Sequence, residues 1–148
     1  MEFFLWRHAD ALPGILDFER GLSPLGHQQA AKVARWFREH APPGLRILVS
    51  PAVRARQTVA HFCENESDIK LCLPLYENAS SNEILAILGW PDITLPALVV
   101  GHLPQIGILA DDLLADTPHP ASFHKSAIWW LRLEPGQKSA QLVNVMEP

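Results

Sequence analysis

Cysteine is scarce in this chain, with only Cys63 and Cys72 in 148 residues, and neither has a CxxC or CxH companion. That spacing excludes a disulfide framework and a zinc ribbon, and it predicts a reduced, cytoplasmic protein. Long hydrophobic runs are missing too. None approaches the ~20 residues that cross a bilayer, so no membrane association is expected. The opening Met1-Glu2-Phe3-Phe4-Leu5-Trp6-Arg7 meets charge too early for a signal peptide. Positive charge is not in excess. Twelve basic residues face sixteen acidic ones for a net charge of -4, which excludes a sequence-independent nucleic-acid binder. Repeats and low-complexity segments are absent, and the stretch Asp116-Thr117-Pro118-His119-Pro120 is too short to separate domains. What is present is globular: 48% hydrophobic and 19% charged residues, with 13 prolines that predict short, abruptly ended elements. One domain over residues 1–148 is long enough to bury a core.

Strand and helix signals alternate along the chain. Phe3–Arg7 reads as an apolar strand. A helix is predicted over Leu22–His40, with Ser23 as N-cap, Pro24 in the first helical position, and Ala30, Val33, Ala34 and Phe37 on its apolar face. Arg46–Ser50 is a second strand, and a helix from Pro51 to about Cys63 follows, with Ser50 as its expected cap. Ile69–Leu73 reads as a third strand, Ser80–Leu88 as a helix, Ala97–Gly101 as a central strand and Gln105–Leu114 as a helix. Ala127–Leu133 and Gln141–Met146 read as closing strands joined by a turn at Glu134-Pro135-Gly136-Gln137, with Ala127, Trp129, Leu131 and Leu133 on one buried face. This pattern predicts an α/β fold, a mainly parallel sheet with helices on both faces and an antiparallel edge hairpin.

Three of the predicted inner strands end in polar residues that a bare core would not need. The first delivers Arg7, His8 and Asp10. The second delivers Ser50 and, one turn into the next helix, Arg54. The central strand delivers Gly101 and His102. Ligands in open α/β sheets sit beyond the carboxyl ends of the strands, so parallel neighbours would gather two histidines and two arginines in one crevice. Adjacent guanidinium groups repel unless an anion lies between them, and their forks match phosphate oxygens. The predicted ligand is a phosphoryl group, with backbone N–H groups at the start of the helix after Pro51 adding to the site. A neutral imidazole there can attack phosphorus and form a phosphohistidine. The surrounding positive charge should keep it neutral. The second histidine, if protonated, would donate to a phosphoryl oxygen.

At these residues the chain resembles the histidine phosphatase superfamily and, within it, the small SixA-like phosphohistidine phosphatases. The resemblance is carried by Leu5-Trp6-Arg7-His8-Ala9-Asp10-Ala11, Arg20-Gly21-Leu22-Ser23-Pro24-Leu25-Gly26, Ser50-Pro51-Ala52-Val53-Arg54-Ala55-Arg56-Gln57-Thr58 and Val99-Val100-Gly101-His102-Leu103-Pro104. It implies His8 as the nucleophile, with Arg7, Arg54 and His102 holding the phosphoryl group. It also implies a three-layer, phosphoglycerate-mutase-like fold without a large cap insertion, and no metal or organic cofactor. Ala9 stands where the superfamily motif has glycine.

A second departure is the acidic proton donor of the sugar-phosphatase relatives, which has no clear counterpart here. Glu77 and Asp17 are both candidates. The gap bears on the substrate. An alkoxide leaving group needs a proton as it departs, whereas imidazole, with a pKa of about 6.5, leaves far more easily. A weak or absent acid therefore favours phosphohistidine on a protein, such as a signalling or phosphocarrier domain. Besides the four central residues, Arg20, Asp17, Ser50 and Glu77 are candidate substrate-binding residues. Arg20 has a competing reading as a partner of Asp17 that holds the loop before the first helix.

Each central residue taken alone has an ordinary explanation: a core histidine, or an arginine in a surface ion pair. Gln57 and Thr58 share a helix face with Arg54 and are explained equally by packing. Asp10 reads as a local hydrogen-bonding residue, Ser126 as structural, and His27, His40, His61, His119 and His124 as surface residues without metal-ligand spacing. Three rival functions follow: a phosphatase for small phosphate esters, a non-catalytic module that binds phosphate-like anions, and a metallohydrolase built on His8 and His102. The last lacks a third ligand at recognisable spacing.

Overall fold

The computed structural model describes residues 1–77, 80–115, 118–120 and 122–148. Asp116 and Thr117 of the linker-like stretch lie outside them. Six strands form one mixed sheet: β1 (Glu2–Arg7), β2 (Arg46–Val49), β3 (Lys70–Leu71), β4 (Ala97–Gly101), β5 (Ile128–Arg132) and β6 (Gln141–Met146), in the spatial order β3-β2-β4-β1-β5-β6. The pairs β3/β2, β2/β4 and β4/β1 are parallel, while β1/β5 and β5/β6 are antiparallel. The expected parallel sheet with an antiparallel edge hairpin is what forms.

Side chains of a strand alternate between its two faces, so an inner strand must be apolar throughout if both faces are covered. In β1, Phe3 and Leu5 join the cluster that packs on α3 (Ser81–Leu88) and α4 (Gln105–Leu114), while Phe4 and Trp6 join the one that packs on α1 (Pro24–His40) and α2 (Val53–Ala60). In β4, Val99 faces the first cluster and Leu98 and Val100 the second. Ala30, Val33, Ala34 and Phe37 of α1 are buried as their spacing predicts, and so are Ala127, Trp129, Leu131 and Leu133 along the β5 segment.

Several boundaries differ from expectation. The helix α1 starts at Pro24, where the Ser23 hydroxyl accepts the Gly26 N–H at 3.0 Å, as predicted for the cap. The helix α2 begins only at Val53 and ends at Ala60, and Ala52 is its N-cap position without a side-chain bond. Ser50 lies two residues before that position, and its hydroxyl accepts the Ala52 N–H at 3.3 Å while also bonding His102. The third strand shrinks to Lys70–Leu71, after which Leu73–Leu75 forms a 3-10 turn. Pro74 has no N–H to continue a ladder, which accounts for the early stop. The turn at Glu134–Gln137 is closed by the Gln137 N–H donating to the Glu134 carbonyl at 3.1 Å, with Gly136 at φ +80°. Cys63 and Cys72 are both free. No helix among the described residues is long and apolar enough to cross a membrane.

Candidate active site

The strands β2, β4 and β1 lie side by side, so their carboxyl ends share one edge of the sheet. Main-chain bonds continue the ladders just past those ends: the His8 N–H donates to the Gly101 carbonyl at 3.0 Å, and the Ser50 N–H to the Val100 carbonyl at 2.9 Å. The segments that carry His8, Ser50 and His102 are thereby locked together. The His8 and His102 ring centroids are 5.1 Å apart.

His8 is buried, and its Nδ1 donates to the neighbouring Ala9 carbonyl at 2.7 Å in the neutral tautomer that leaves Nε2 with a free lone pair. Burial is the main cause that pushes its pKa down to about 4, with the charges of Arg54, Arg7 and Lys125 adding to it. The expected direction is therefore observed, but desolvation outweighs the arginines. His102 is pushed down to about 3, again first by burial and then by Arg54. In this state both rings are neutral at pH 7, so the condition under which His102 would donate as an imidazolium is not met. Its Nε2 is hydrogen-bonded to the Ser50 hydroxyl at 2.6 Å, and Ser50 is wholly buried.

Arg7 leaves the end of β1 with one guanidinium N–H donating to the Phe123 carbonyl at 2.8 Å. Arg54, in the first turn of α2, is buried. The Nε groups of both arginines and Nδ1 of His102 are buried without a hydrogen-bond partner among the described residues. Arg7 and Arg54 both lie close enough to His8 for their charges to lower its pKa, and two guanidinium groups gathered in this way suit an anion-binding cradle.

The loop after β1 is held from two sides. The Ala9 N–H donates to Thr58 Oγ1 at 3.0 Å, and the Thr58 hydroxyl donates to the Arg54 carbonyl at 2.7 Å. Asp10 accepts from the Ser23 hydroxyl at 2.6 Å and from Lys125 Nζ at 2.8 Å, the local role expected for it. Ala9 is fully buried. Gly26 approaches the Asp10 main chain so closely that a Cβ there would lie 1.9 Å from the Asp10 carbonyl oxygen. Gln57 accepts the Leu22 N–H at 2.7 Å and so anchors the segment leading into α1.

Asp17 comes to the mouth of the crevice on a 3-10 turn, Asp17–Glu19. Arg54 donates to its carbonyl at 2.8 Å and to Oδ2 at 3.1 Å, Tyr76 donates to Oδ2 at 3.2 Å, and Arg20 donates to Oδ1 at 3.1 Å. Arg20 also donates to the Leu12 carbonyl at 2.8 Å. The pair with Asp17 that the loop-holding reading requires is formed. Burial works to raise the Asp17 pKa, yet the hydrogen bonds from Arg54 and Arg20 hold it below the usual carboxylate value. Glu77 is exposed, and it meets the site through its main chain, whose carbonyl accepts from Gln105 Nε2 at 2.9 Å.

Besides Lys125, which bonds Asp10 and adds its charge near His8, two residues at the crevice carry no clear signal in the sequence. Tyr76, the only tyrosine, holds Asp17 and packs its ring 5.9 Å from that of His102. The buried Gln105 follows His102 by three positions. Only their adjacency to Glu77 and His102 marked them. The remaining histidines lie away from the cradle: His27 and His61 bond each other at 2.9 Å, His40 stacks on Trp36, and His119 and His124 reach Asp111 and Glu147. No cluster of three or more metal-type ligands occurs among the described residues. A cavity of about 730 Å³ beside Met1, Trp90 and Leu133 lies at the opposite end of β1.

Comparison with known proteins agrees with this geometry. Residues 4–80 match the family model for the histidine phosphatase superfamily (branch 1). An uncharacterized protein of Mycobacterium tuberculosis is 38% identical over 106 residues, covering 70% of this chain and 66% of that protein. The chain thus spans just under two thirds of the length of this relative. A phosphohistidine phosphatase SixA homolog of Haemophilus influenzae is 30% identical over 100% of this chain and 97% of its own. The structure of the protein histidine phosphatase SixA complexed with tungstate superposes with a TM-score of 0.80 at 26% identity, covering 100% of this chain and 97% of the other. The chain belongs to the histidine phosphatase superfamily, branch 1.

Proposed function

We propose that the protein is a phosphatase that works through a covalent phosphohistidine on His8, and that its substrate is phosphohistidine borne by a protein. The observation that carries the reading is that His8, with its Nε2 lone pair free, shares one edge of the sheet with Arg7 and Arg54, whose buried Nε groups have no partner among the described residues. His8 Nε2 attacks phosphorus while the bond to the leaving group breaks and its electron pair departs with that group. Arg7 and Arg54 stabilise the equatorial oxygens, and His102, set by Ser50, completes the cradle. Water then attacks the His8 adduct, which releases inorganic phosphate and restores the neutral imidazole. No step needs a metal or an organic cofactor. Tungstate, a phosphate-like anion, binds the related SixA, which supports the same class of ligand here.

The protein substrate is supported by the SixA relatives and by the lack of a ready acid at the mouth of the crevice, where Asp17 is held as a carboxylate. The two free cysteines favour a reducing, cytoplasmic setting. The test compares wild type with His8→Ala on a phosphohistidine protein, on para-nitrophenyl phosphate and on a panel of sugar phosphates. Loss of all turnover and of the acid-labile label in the variant is expected, with the highest kcat/KM of the wild type on phosphohistidine. Higher kcat/KM on the sugar phosphates would overturn the substrate. Binding of phosphate without turnover would overturn the enzyme.

A further inference from the structure

We propose that Asp17 is the specificity-determining residue of this site, its carboxylate accepting the ring N–H of the departing imidazole and so selecting phosphohistidine over phosphate esters. The inference rests on the substrate reading above and assigns the group that enforces it.

The chemistry of the P–N bond sets the requirement. If the ring nitrogen remote from phosphorus carries a proton, the electron pair of the breaking bond converts the ring into neutral imidazole. Without that proton the ring would have to leave as an anion. A phosphohistidine phosphatase therefore needs a group that keeps a proton on its substrate, which is an acceptor rather than an acid.

Asp17 is built as such an acceptor. His8 lies buried at the floor of the crevice, whereas the Asp17 side chain is 54% exposed at its mouth. In-line attack from His8 drives the leaving group outward, toward that mouth. The carboxylate is oriented by three donors: Arg20 on Oδ1, and Arg54 and Tyr76 on Oδ2. An ionised carboxylate offers about four acceptor sites, so one remains for a substrate N–H. The same donors hold it ionised. An ester presents the opposite charge pattern. Its leaving oxygen gains negative charge, receives no proton from Asp17 and is repelled by it. Arg54 couples the two tasks, since it contacts Asp17 and lies among the groups assigned to the phosphoryl oxygens.

The experiment compares Asp17→Asn with wild type on a phosphohistidine-bearing carrier protein and on para-nitrophenyl phosphate, with kcat followed against pH. The amide keeps the shape of the side chain but accepts a cationic N–H poorly. The expected result is a fall of about ten- to hundredfold in the ratio of phosphohistidine to aryl phosphate turnover. On phosphohistidine, the alkaline limb of kcat moves to lower pH in the variant, because the bound ring loses its proton sooner. The aryl phosphate limb stays in place. An unchanged ratio, or equal losses on both substrates with no movement of the limb, overturns the role of Asp17 and leaves the substrate reading intact. Absence of phosphohistidine turnover in the wild type overturns both.

Discussion

The hydroxyl of Thr58 joins the loop after β1 to the first turn of α2, accepting the Ala9 N–H at 3.0 Å while donating to the Arg54 carbonyl at 2.7 Å. Thr58 is fully buried, so water cannot replace either bond. Thr58→Val, equal in shape, strands the Ala9 N–H and should cost about 1–3 kcal/mol. Because the same bond sets the turn after His8, kcat/KM should fall as well, and Thr58→Ser should restore most of both. Urea unfolding and steady-state kinetics on the three proteins check this. A valine variant with wild-type kcat/KM would remove Thr58 from the positioning of His8.

The pKa values of the two histidines predict acid sensitivity. An unfolded histidine titrates near 6.5, whereas folded His8 and His102 are pushed down to about 4 and about 3. Between those values the unfolded chain binds protons that the folded chain refuses. Stability is therefore complete above pH 6.5 and falls as the pH drops toward 4. Near pH 5 each histidine should cost about 2 kcal/mol. Asp10 and Asp17, both held below the usual carboxylate value, act at lower pH, where their stabilisation is lost as they protonate. Urea midpoints near pH 7.5 and pH 5 should differ accordingly, and the difference should shrink in a His8→Asn/His102→Asn double variant. An undiminished difference there would show that other groups carry it.

Gly26 is demanded by space rather than by backbone conformation. An added Cβ would meet the Asp10 carbonyl at 1.9 Å, so in Gly26→Ala either α1 or the His8–Asp10 loop must shift. Overpacking of this kind costs about 1–3 kcal/mol. Activity should suffer more than stability, since the loop that gives way also carries His8, the proposed nucleophile. Phosphate affinity and kcat/KM measured beside thermal unfolding decide the matter, and near-native values of all three would contradict the close approach.

Arg54 and Arg20 both bind Asp17, but only Arg54 is buried in the cradle. Arg54→Ala should lower kcat/KM by about a hundred- to a thousandfold and weaken tungstate binding in parallel. Arg20→Ala removes a partly exposed ion pair and should cost about tenfold or less. Isothermal titration with tungstate separates the two. Equal losses would return Arg20 to the phosphoryl-binding role that its position in the sequence had suggested.

Elements whose signals are local were legible in the chain. The period of Ala30, Val33, Ala34 and Phe37, the cap at Ser23 and the unbroken apolar run of β4 each state their own environment, because helix and strand geometry convert spacing directly into facing. Boundaries settled by competition were not. Ser50 has the composition of a cap, yet the cap position falls at Ala52, and the wholly buried hydroxyl is shared between the Ala52 N–H and His102 from another strand. Ile69–Leu73 has the composition of a strand, yet Pro74 and the 3-10 turn leave only two residues paired.

For the site, the order of residues along the chain set which chemical groups were available: Arg7 and His8 at one strand end, Arg54 one turn into a helix, and His102 after a glycine. The order of the strands, β2-β4-β1, was a tertiary decision, and it alone brings those groups to a common edge. So were the state and partners of each group. The neutrality of His8 comes chiefly from burial, and the Asp17 carboxylate is set by Arg54, Arg20 and Tyr76. Spacing along a chain records which atoms are covalently near, whereas desolvation and hydrogen bonding depend on atoms that become near only when the sheet closes.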